Sequence, residues 1–520
     1  MLRRTALTHL AFATGLPWAF TGCGGGNANE AGGVLDESRV REAAGRLDAI
    51  VPEALKRTGV PGASVSVVWR EQVLALRGYG VRRIDEAATV DGETVFQLAS
   101  LSKSLAATVM ATQMGDTGLD WQTPVRQLMP DFELAYPDTG DNARLSLGDL
   151  FAHRSGLPDH AGDRLEDLGW GRADILQRLR LVALDPYGSY AYTNFGLTAA
   201  AQAMARARGT TWEALSEAAL YRPLGMTATS SRFDDFTARA NRAWGHVPQD
   251  ASLTAYGAFP ARYVVQQPPR QPDAQSPAGG ASASAADMAR WMRLMLDPRC
   301  WQGRQVADAD ALRRAMTARP GGAYGYGFNV GPDPWGEPSV SHSGAFLLGA
   351  HTAFLLWPGA RLGISVLTNA QPRGVAEAIA LRFAEQAWGR PGDGRDWLVV
   401  MQDKMRGLYR PLGRLAGQAP PDAPVPSLPL SQYTGRYLNA YYGPVNVSLN
   451  AAGDALDLVM GPAALRHPLR HWDGALFVFD MQGENEPSGS RCAVQFAEQA
   501  LTLELFSEDQ ERGRFARVSA

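Results

Sequence analysis

Residues 96–105 read FQLASLSKSL, and the question they pose is why a lysine stands at position 103. Of the 50 lysines and arginines in the chain, only Lys56, Lys103 and Lys404 are lysine. An arginine stays protonated in a protein, whereas the surroundings can drive a lysine amine neutral. Lys103 follows Ser100 by three residues, at the head of an apolar run that reads as a helix over Ser100–Gly115. On a helix, positions i and i+3 share a face and can touch. Ser100 then occupies the first turn, where free backbone N–H groups and the positive helix end favour a developing oxyanion. A neutral Lys103 amine can take the serine proton and make Ser100 a nucleophile. The bland alternative is a capping serine beside an exposed lysine.

Two further stretches carry residue types suited to the same chemistry. In GSYAYTNFGLTAAA (188–201), Tyr192 offers a phenol able to relay a proton. Asn194, two residues on, points the same way on extended backbone and offers both a donor and an acceptor. In PSVSHSGAFLLGAHTAFLLWP (338–358), the small residues Ser343 and Gly344 let a substrate lie along a strand edge. There the Ala345 N–H is a candidate second oxyanion donor, and His342 supplies a polar or cationic group. His153 and His160 lack the spacing of a metal pair. His351, His467 and His471 read as structural, and no metal or cofactor is expected.

The rest of the chain bounds the answer. At 520 residues it is too long for one ordinary core, so at least two domains are expected. Hydrophobic residues at 45% and charged residues at 20% are those of a water-soluble globular chain. A net charge of −3 argues against a nucleic-acid or polybasic membrane surface. No run is apolar enough for a transmembrane span, and no internal repeat is visible. G-x-S-x-G, H-E-x-x-H and phosphate-loop patterns are absent, which sets aside a nucleophile-elbow esterase, a zinc protease and a nucleotide-binding enzyme.

Residues 1–35 read as a targeting segment and polar tail: Arg3 and Arg4, a short apolar stretch, then Phe20-Thr21-Gly22-Cys23. The segment resembles a bacterial lipoprotein signal with Cys23 as the lipidated residue. That implies export to the periplasm and attachment to the outer membrane only through the lipid. An ordinary cleaved signal or a disordered tail are the alternatives. Cys300 and Cys492 are read as free and buried.

Helix is predicted over Asp36–Thr58, and a hairpin over Gly62–Trp69 and Gln72–Gly80. A helical middle, a looser passage at Arg232–Ser276 and a helix at Ser284–Met295 capped by Ser282 or Ser284 come next. Strands follow at Tyr324–Val330, Ser339–His342, Ala350–Trp357 and Leu362–Thr368, then a helix at Val375–Trp388. Strands early and late with helices between predict an α+β fold: one antiparallel sheet built from both chain ends, flanked by helices, with an inserted helical region. This first domain is assigned to 36–390. A helix at Arg395–Leu415 and the proline-rich QAPPDAPVPSLP (418–429) make 391–429 a linker. Alternating residues with frequent turns make 430–520 a small all-β barrel or sandwich.

S-x-x-K, Y-x-N and H-S-G in this order resemble the class C β-lactamase and D,D-peptidase group of active-site serine hydrolases. LGDLFAHRSGLPDH (147–160), YRPLGMTATS (221–230), PAGGASASAADMARWMRLML (277–296) and GARLGISVLTNA (359–370) add to the likeness, which spans Val40 to Trp388. The resemblance implies a β-lactamase/transpeptidase-like fold in which Ser100 becomes acylated and Lys103 and Tyr192 exchange the proton. It further implies that Asn194 binds the substrate amide and that the Ser100 and Ala345 N–H groups form the oxyanion hole. His342 stands where the group carries a lysine that binds a substrate carboxylate. Histidine carries little charge at neutral pH, so efficient β-lactam hydrolysis is not expected. The expected substrate is a small acyl compound: an ester, a D-amino peptide of peptidoglycan origin, or weakly a β-lactam. A non-catalytic cell-wall-fragment or β-lactam binder of the same fold is the alternative.

Overall fold

A computed structural model describes residues 35–137, 139–249, 262–298, 301, 303–390, 394–481 and 483–518. The targeting segment with Cys23, and Cys300, lie outside the described residues; Cys492 is free and buried.

Helix α1 (Glu37–Thr58) starts where the Asp36 carboxylate accepts from the Arg39 N–H, and it stops at Gly59, whose φ of 78° an L side chain rarely adopts. Its buried face carries Val40, Leu47, Val51 and Leu55. Burying each such side chain is worth about 2 kcal/mol, so a charge at Leu47 would detach the helix. The hairpin β1 (Gly62–Trp69) and β2 (Gln72–Gly80) falls on its predicted residues. Helices α2 (Leu101–Thr112), α3 (Asn194–Ala207) and α4 (Ala285–Leu296) belong to the middle of the chain. Ser284 is the cap of α4, accepting from the Asp287 N–H. The late strands are β3 (Asn329–Pro332), β4 (Pro338–Phe346), β5 (Ala350–Trp357) and β6 (Leu362–Thr368), followed by α5 (Val375–Ala387).

The six strands form one antiparallel sheet in the order β2-β1-β6-β5-β4-β3. The N-terminal hairpin therefore pairs with the last strand, as expected from strands at both chain ends. β1, β5 and β6 are buried along their whole length, because α1 and α5 cover one face and the helical region the other. Ser66 and Ser365, both buried in this layer, pair with each other at 2.7 Å.

Three expectations needed correction. Strand Tyr324–Val330 shrinks to Asn329–Pro332, because the preceding residues turn tightly against α2. A Cβ on Gly327 would sit 2.6 Å from the Lys103 carbonyl, and Ser104 donates to the Gly327 carbonyl at 2.6 Å. The helix at Arg395–Leu415 is only Trp397–Lys404 with a 3₁₀ turn at Arg406–Tyr409, since Gly407, Pro411 and Gly413 interrupt it. Within Arg232–Ser276, Phe233–Ala238 is helical and His246–Pro248 pairs with Tyr263–Val265.

The C-terminal region is a closed barrel of eight strands: β7 (Gly435–Asn439), β8 (Gly443–Leu449), β9 (Leu456–Met460), β10 (Leu465–Asp473), β11 (Leu476–Met481), β12 (Ser490–Ala497), β13 (Ala500–Leu503) and β14 (Arg514–Arg517). Each strand pairs with its sequence neighbour and β14 closes on β7, which leaves no open edge. Tyr433, Phe477 and Phe496 pack ring against ring inside it at 4.8–5.5 Å. Among the described residues no helix is long and apolar enough to cross a membrane, and no group of acidic, His or Cys side chains is placed to hold a metal.

Candidate active site

Ser100 heads α2, but its side chain makes no capping hydrogen bond, so the hydroxyl is left for other partners. The residue before it, Ala99, has φ +48°, a conformation that strains a non-glycine residue and is held here by its burial. Lys103, one turn on, is completely buried. Its Nζ donates to Ser100 Oγ at 3.0 Å, to Asn194 Oδ1 at 2.6 Å and to the Ala278 carbonyl at 2.9 Å. Tyr192 Oη donates to Ser100 Oγ at 2.9 Å. The serine hydroxyl thus lies between an amine and a phenol that reach it from α2 and from the start of α3.

No carboxylate pairs directly with Lys103, and burial pulls its pKa down to about 7 against a smaller upward pull from Asp163. At neutral pH a large fraction of the amine is therefore unprotonated and able to accept the Ser100 proton. Asn194 is oriented from both ends: Oδ1 accepts from Lys103, and Nδ2 donates to Asp163 Oδ2 at 2.8 Å. The amide thus bridges the Lys103 amine and the Asp163 carboxylate.

The backbone under Tyr192 is clamped by the HRSGLPDH stretch. The Ala191 N–H donates to the His153 carbonyl, the Tyr192 N–H to Asp159 Oδ1 at 2.9 Å, and the Thr193 N–H to His153 Nδ1 at 3.2 Å. The His160 N–H donates back to the Tyr192 carbonyl. Burial, with Lys103 and His342 nearby, holds His153 well below its usual pKa, so it is the neutral acceptor this geometry needs. For His160, burial pulls downward, but Asp159 and a 2.7 Å contact with Asp163 outweigh it and push the pKa to about 9.

β4 runs past the Ser100 turn on the other side. A Cβ on Gly344 would lie 2.1 Å from the Leu98 carbonyl and 3.0 Å from the Ser100 nitrogen, so only glycine permits this approach. Thr352 Oγ1, opposite Gly344 on β5, donates to the same Leu98 carbonyl at 2.7 Å. Ser343 turns its hydroxyl toward Glu377, and Ala345 stands opposite His351.

Of the polar and cationic roles open to His342, its surroundings favour the polar one. It is fully buried; Nδ1 donates to the Ser343 carbonyl at 2.8 Å, and Nε2 accepts from Tyr324 Oη at 2.9 Å. Burial and the neighbouring Lys103 lower its pKa to about 3, so it is neutral. Asp163, Tyr324 and the Ala278 carbonyl were not singled out from sequence. Asp163 had a readable signal in its i, i+3 spacing from His160, whereas the carbonyl and Tyr324 meet the site only through the fold.

A family model described as Beta-lactamase matches residues 47–387, and one described as a domain of unknown function, DUF3471, matches residues 419–516. An unguisins hydrolase, ungD, of Aspergillus violaceofuscus is 24% identical over 463 residues, 79% of this chain and 78% of its own. The esterase EstB of Burkholderia gladioli is 26% identical over 381 residues, 67% of this chain and 95% of its own. The structure of the octameric penicillin-binding protein homologue from Pyrococcus abyssi superimposes with a TM-score of 0.56 at 18% identity, covering 91% of this chain and 99% of that one; it bears on the fold alone. Over the region that carries Ser100, Lys103, Tyr192 and His342, this chain belongs to the beta-lactamase family and is a serine hydrolase of that type.

Proposed function

We propose that the protein hydrolyses small esters or amides through an acyl-enzyme on Ser100. The observation that carries this reading is the placement of Ser100 Oγ 3.0 Å from Lys103 Nζ and 2.9 Å from Tyr192 Oη. A neutral Lys103 takes the hydroxyl proton as Oγ attacks the acyl carbon. Tyr192, in contact with the same oxygen, passes a proton to the leaving alcohol or amine. Water then attacks the acyl carbon in the second half-reaction, with the same pair acting in reverse. The Ser100 N–H, beside Gly344, and the Ala345 N–H are the proposed donors to the oxyanion.

The neutrality of His342 bears on substrate class. A cation at the third motif helps to bind the carboxylate of a β-lactam or of a peptide terminus. His342 is uncharged and already engaged with Tyr324 and its own strand. This favours an acyl group without a free carboxylate. The relatives fit: one is named an esterase and another a hydrolase of unguisins. Export to the periplasm with a lipid on Cys23 is proposed on the sequence of the first 23 residues.

The test compares kcat/KM for a short-chain p-nitrophenyl ester with that for a chromogenic penicillin, wild type against Ser100→Ala. The ester is expected to be turned over at least about a hundredfold more efficiently, and the variant to be inactive on both. A penicillin turned over as well as the ester would contradict the substrate class; equal turnover by the variant would contradict the nucleophile.

A further inference from the structure

The barrel does not hang free of the hydrolase. Its β11–β12 loop carries Glu484, Asn485 and Glu486, and all three meet the catalytic domain. Asn485 Nδ2 donates to Asp167 Oδ2 at 2.6 Å, and Glu486 lies 3.4 Å from Arg164. Glu484 does something different: its two carboxylate oxygens accept from the N–H groups of Leu347 and Leu348, at 3.0 and 3.2 Å. Those two residues form the turn between β4 and β5, directly after Ser343-Gly344-Ala345-Phe346.

The turn is coupled to the nucleophile by packing. Phe346 forms one buried cluster with Ala99 and Ala350, and Ala99 is the strained residue immediately before Ser100. The Arg270 guanidinium lies over the Phe346 ring at 5.6 Å and its Nε is 4.0 Å from Glu484. Arg270 also pairs with buried Glu166, while its carbonyl accepts from Gln97 Nε2 at 2.8 Å. One barrel carboxylate therefore joins a set of contacts that reaches Ala99, the residue before Ser100, through Phe346 and reaches Gln97 through Arg270.

We propose that Glu484 is a positioning residue for acylation: from the barrel it fixes the β4–β5 turn, and through Phe346 it holds the strand edge at the distance from Ser100 that the reaction needs. The appended barrel is then part of the catalytic unit. This inference rests on the reading of Ser100 as the acylated nucleophile.

The test uses the full-length enzyme, a p-nitrophenyl ester and a fluorophosphonate that titrates reactive Ser100, so that kcat is expressed per titrated site. Glu484→Ala is expected to lower kcat per titrated site at least about tenfold, as misplacement of a reacting group by a fraction of an ångström does. Glu484→Gln keeps one accepting oxygen but sets an NH2 group against the other N–H, so it is expected to recover only part of that loss. Asn485→Ala, which removes a contact of the same loop away from β4, stays within about twofold. Should Glu484→Ala not fold, Glu484→Asp decides: its shortened reach is expected to cost about fivefold or more. Wild-type kcat per titrated site in Glu484→Ala or Glu484→Asp overturns the proposal. So does an equal loss in Asn485→Ala. Failure of the fluorophosphonate to label Ser100 in the wild type would instead undo the reading beneath it.

Discussion

The two cores of this molecule solve burial in opposite ways. Inside the barrel, the space between strands is filled by Tyr433, Tyr437, Phe477, Phe496 and aliphatic side chains, and the Tyr437 hydroxyl donates to the Tyr433 carbonyl. In the hydrolase, the centre holds Lys103, His153, Asp163, Asn194 and His342, all at least nine-tenths buried. Burying polar groups is costly unless they are satisfied, and burying a charge more so. A fold that concentrates them in one place, with no carboxylate bonded to the lysine, keeps that amine near its titration point. The barrel gains stability from its interior, and its chemical consequence sits on the rim, at Glu484.

The largest expected effect tests whether Lys103 needs to lose its proton. Lys103→Arg keeps a cation and most of the volume but stays protonated. It is expected to lower kcat/KM for an ester by about a thousandfold or more, with Ser100 still present. Activity near that of the wild type would mean that the residue serves only as a positive charge.

Next comes the pH profile. Acylation needs neutral Lys103, and the neutral fraction rises with pH through about 7. Log kcat/KM is therefore expected to climb with unit slope below about pH 7 and to level off above it. His342 near 3 stays neutral, and His160 near 9 stays protonated, across pH 5–8. Glu484, pushed up to about 7 by burial against the pull of Arg270, titrates in the same range. The limb should persist in Glu484→Gln if it belongs to Lys103. A profile flat from pH 5 to 8 would remove the amine as base.

The smallest expected effect on catalysis comes from the barrel interior. Phe477→Ala is expected to cost about 3–5 kcal/mol of stability, read by thermal or denaturant unfolding. It should leave kcat per titrated site within about twofold, because Phe477 touches other rings and not the β11–β12 loop contacts. A tenfold loss of kcat per site would erase the contrast between the barrel's interior and its rim.

Local patterns were enough for much of this. The hairpin at Gly62–Gly80, β5, β6 and the Ser284 cap follow from alternation and capping chemistry that act over a few residues. Scarcity of lysine and the S-x-x-K spacing singled out Ser100 and Lys103, since both stand on one helix. What sequence could not supply is set by chain segments far apart. The Ala278 carbonyl on Lys103 depends on a contact across 175 residues, and Tyr324 on His342 on a turn whose Gly327 fits against α2. That His342 carries little charge at neutral pH was legible from its residue type, whereas its burial, which takes the pKa down to about 3, was not. The role of Glu484 requires knowing which loop of the barrel faces the hydrolase.

In the proposed mechanism Ser100 Oγ is the atom that becomes acylated. Wild-type enzyme quenched within milliseconds of mixing with a p-nitrophenyl ester, digested and mapped by mass spectrometry, should carry the acyl mass on the peptide containing Ser100. The adduct should be absent in Ser100→Ala. An acyl group found on another residue, or a Ser100→Ala variant that still releases a burst of p-nitrophenol, would contradict it.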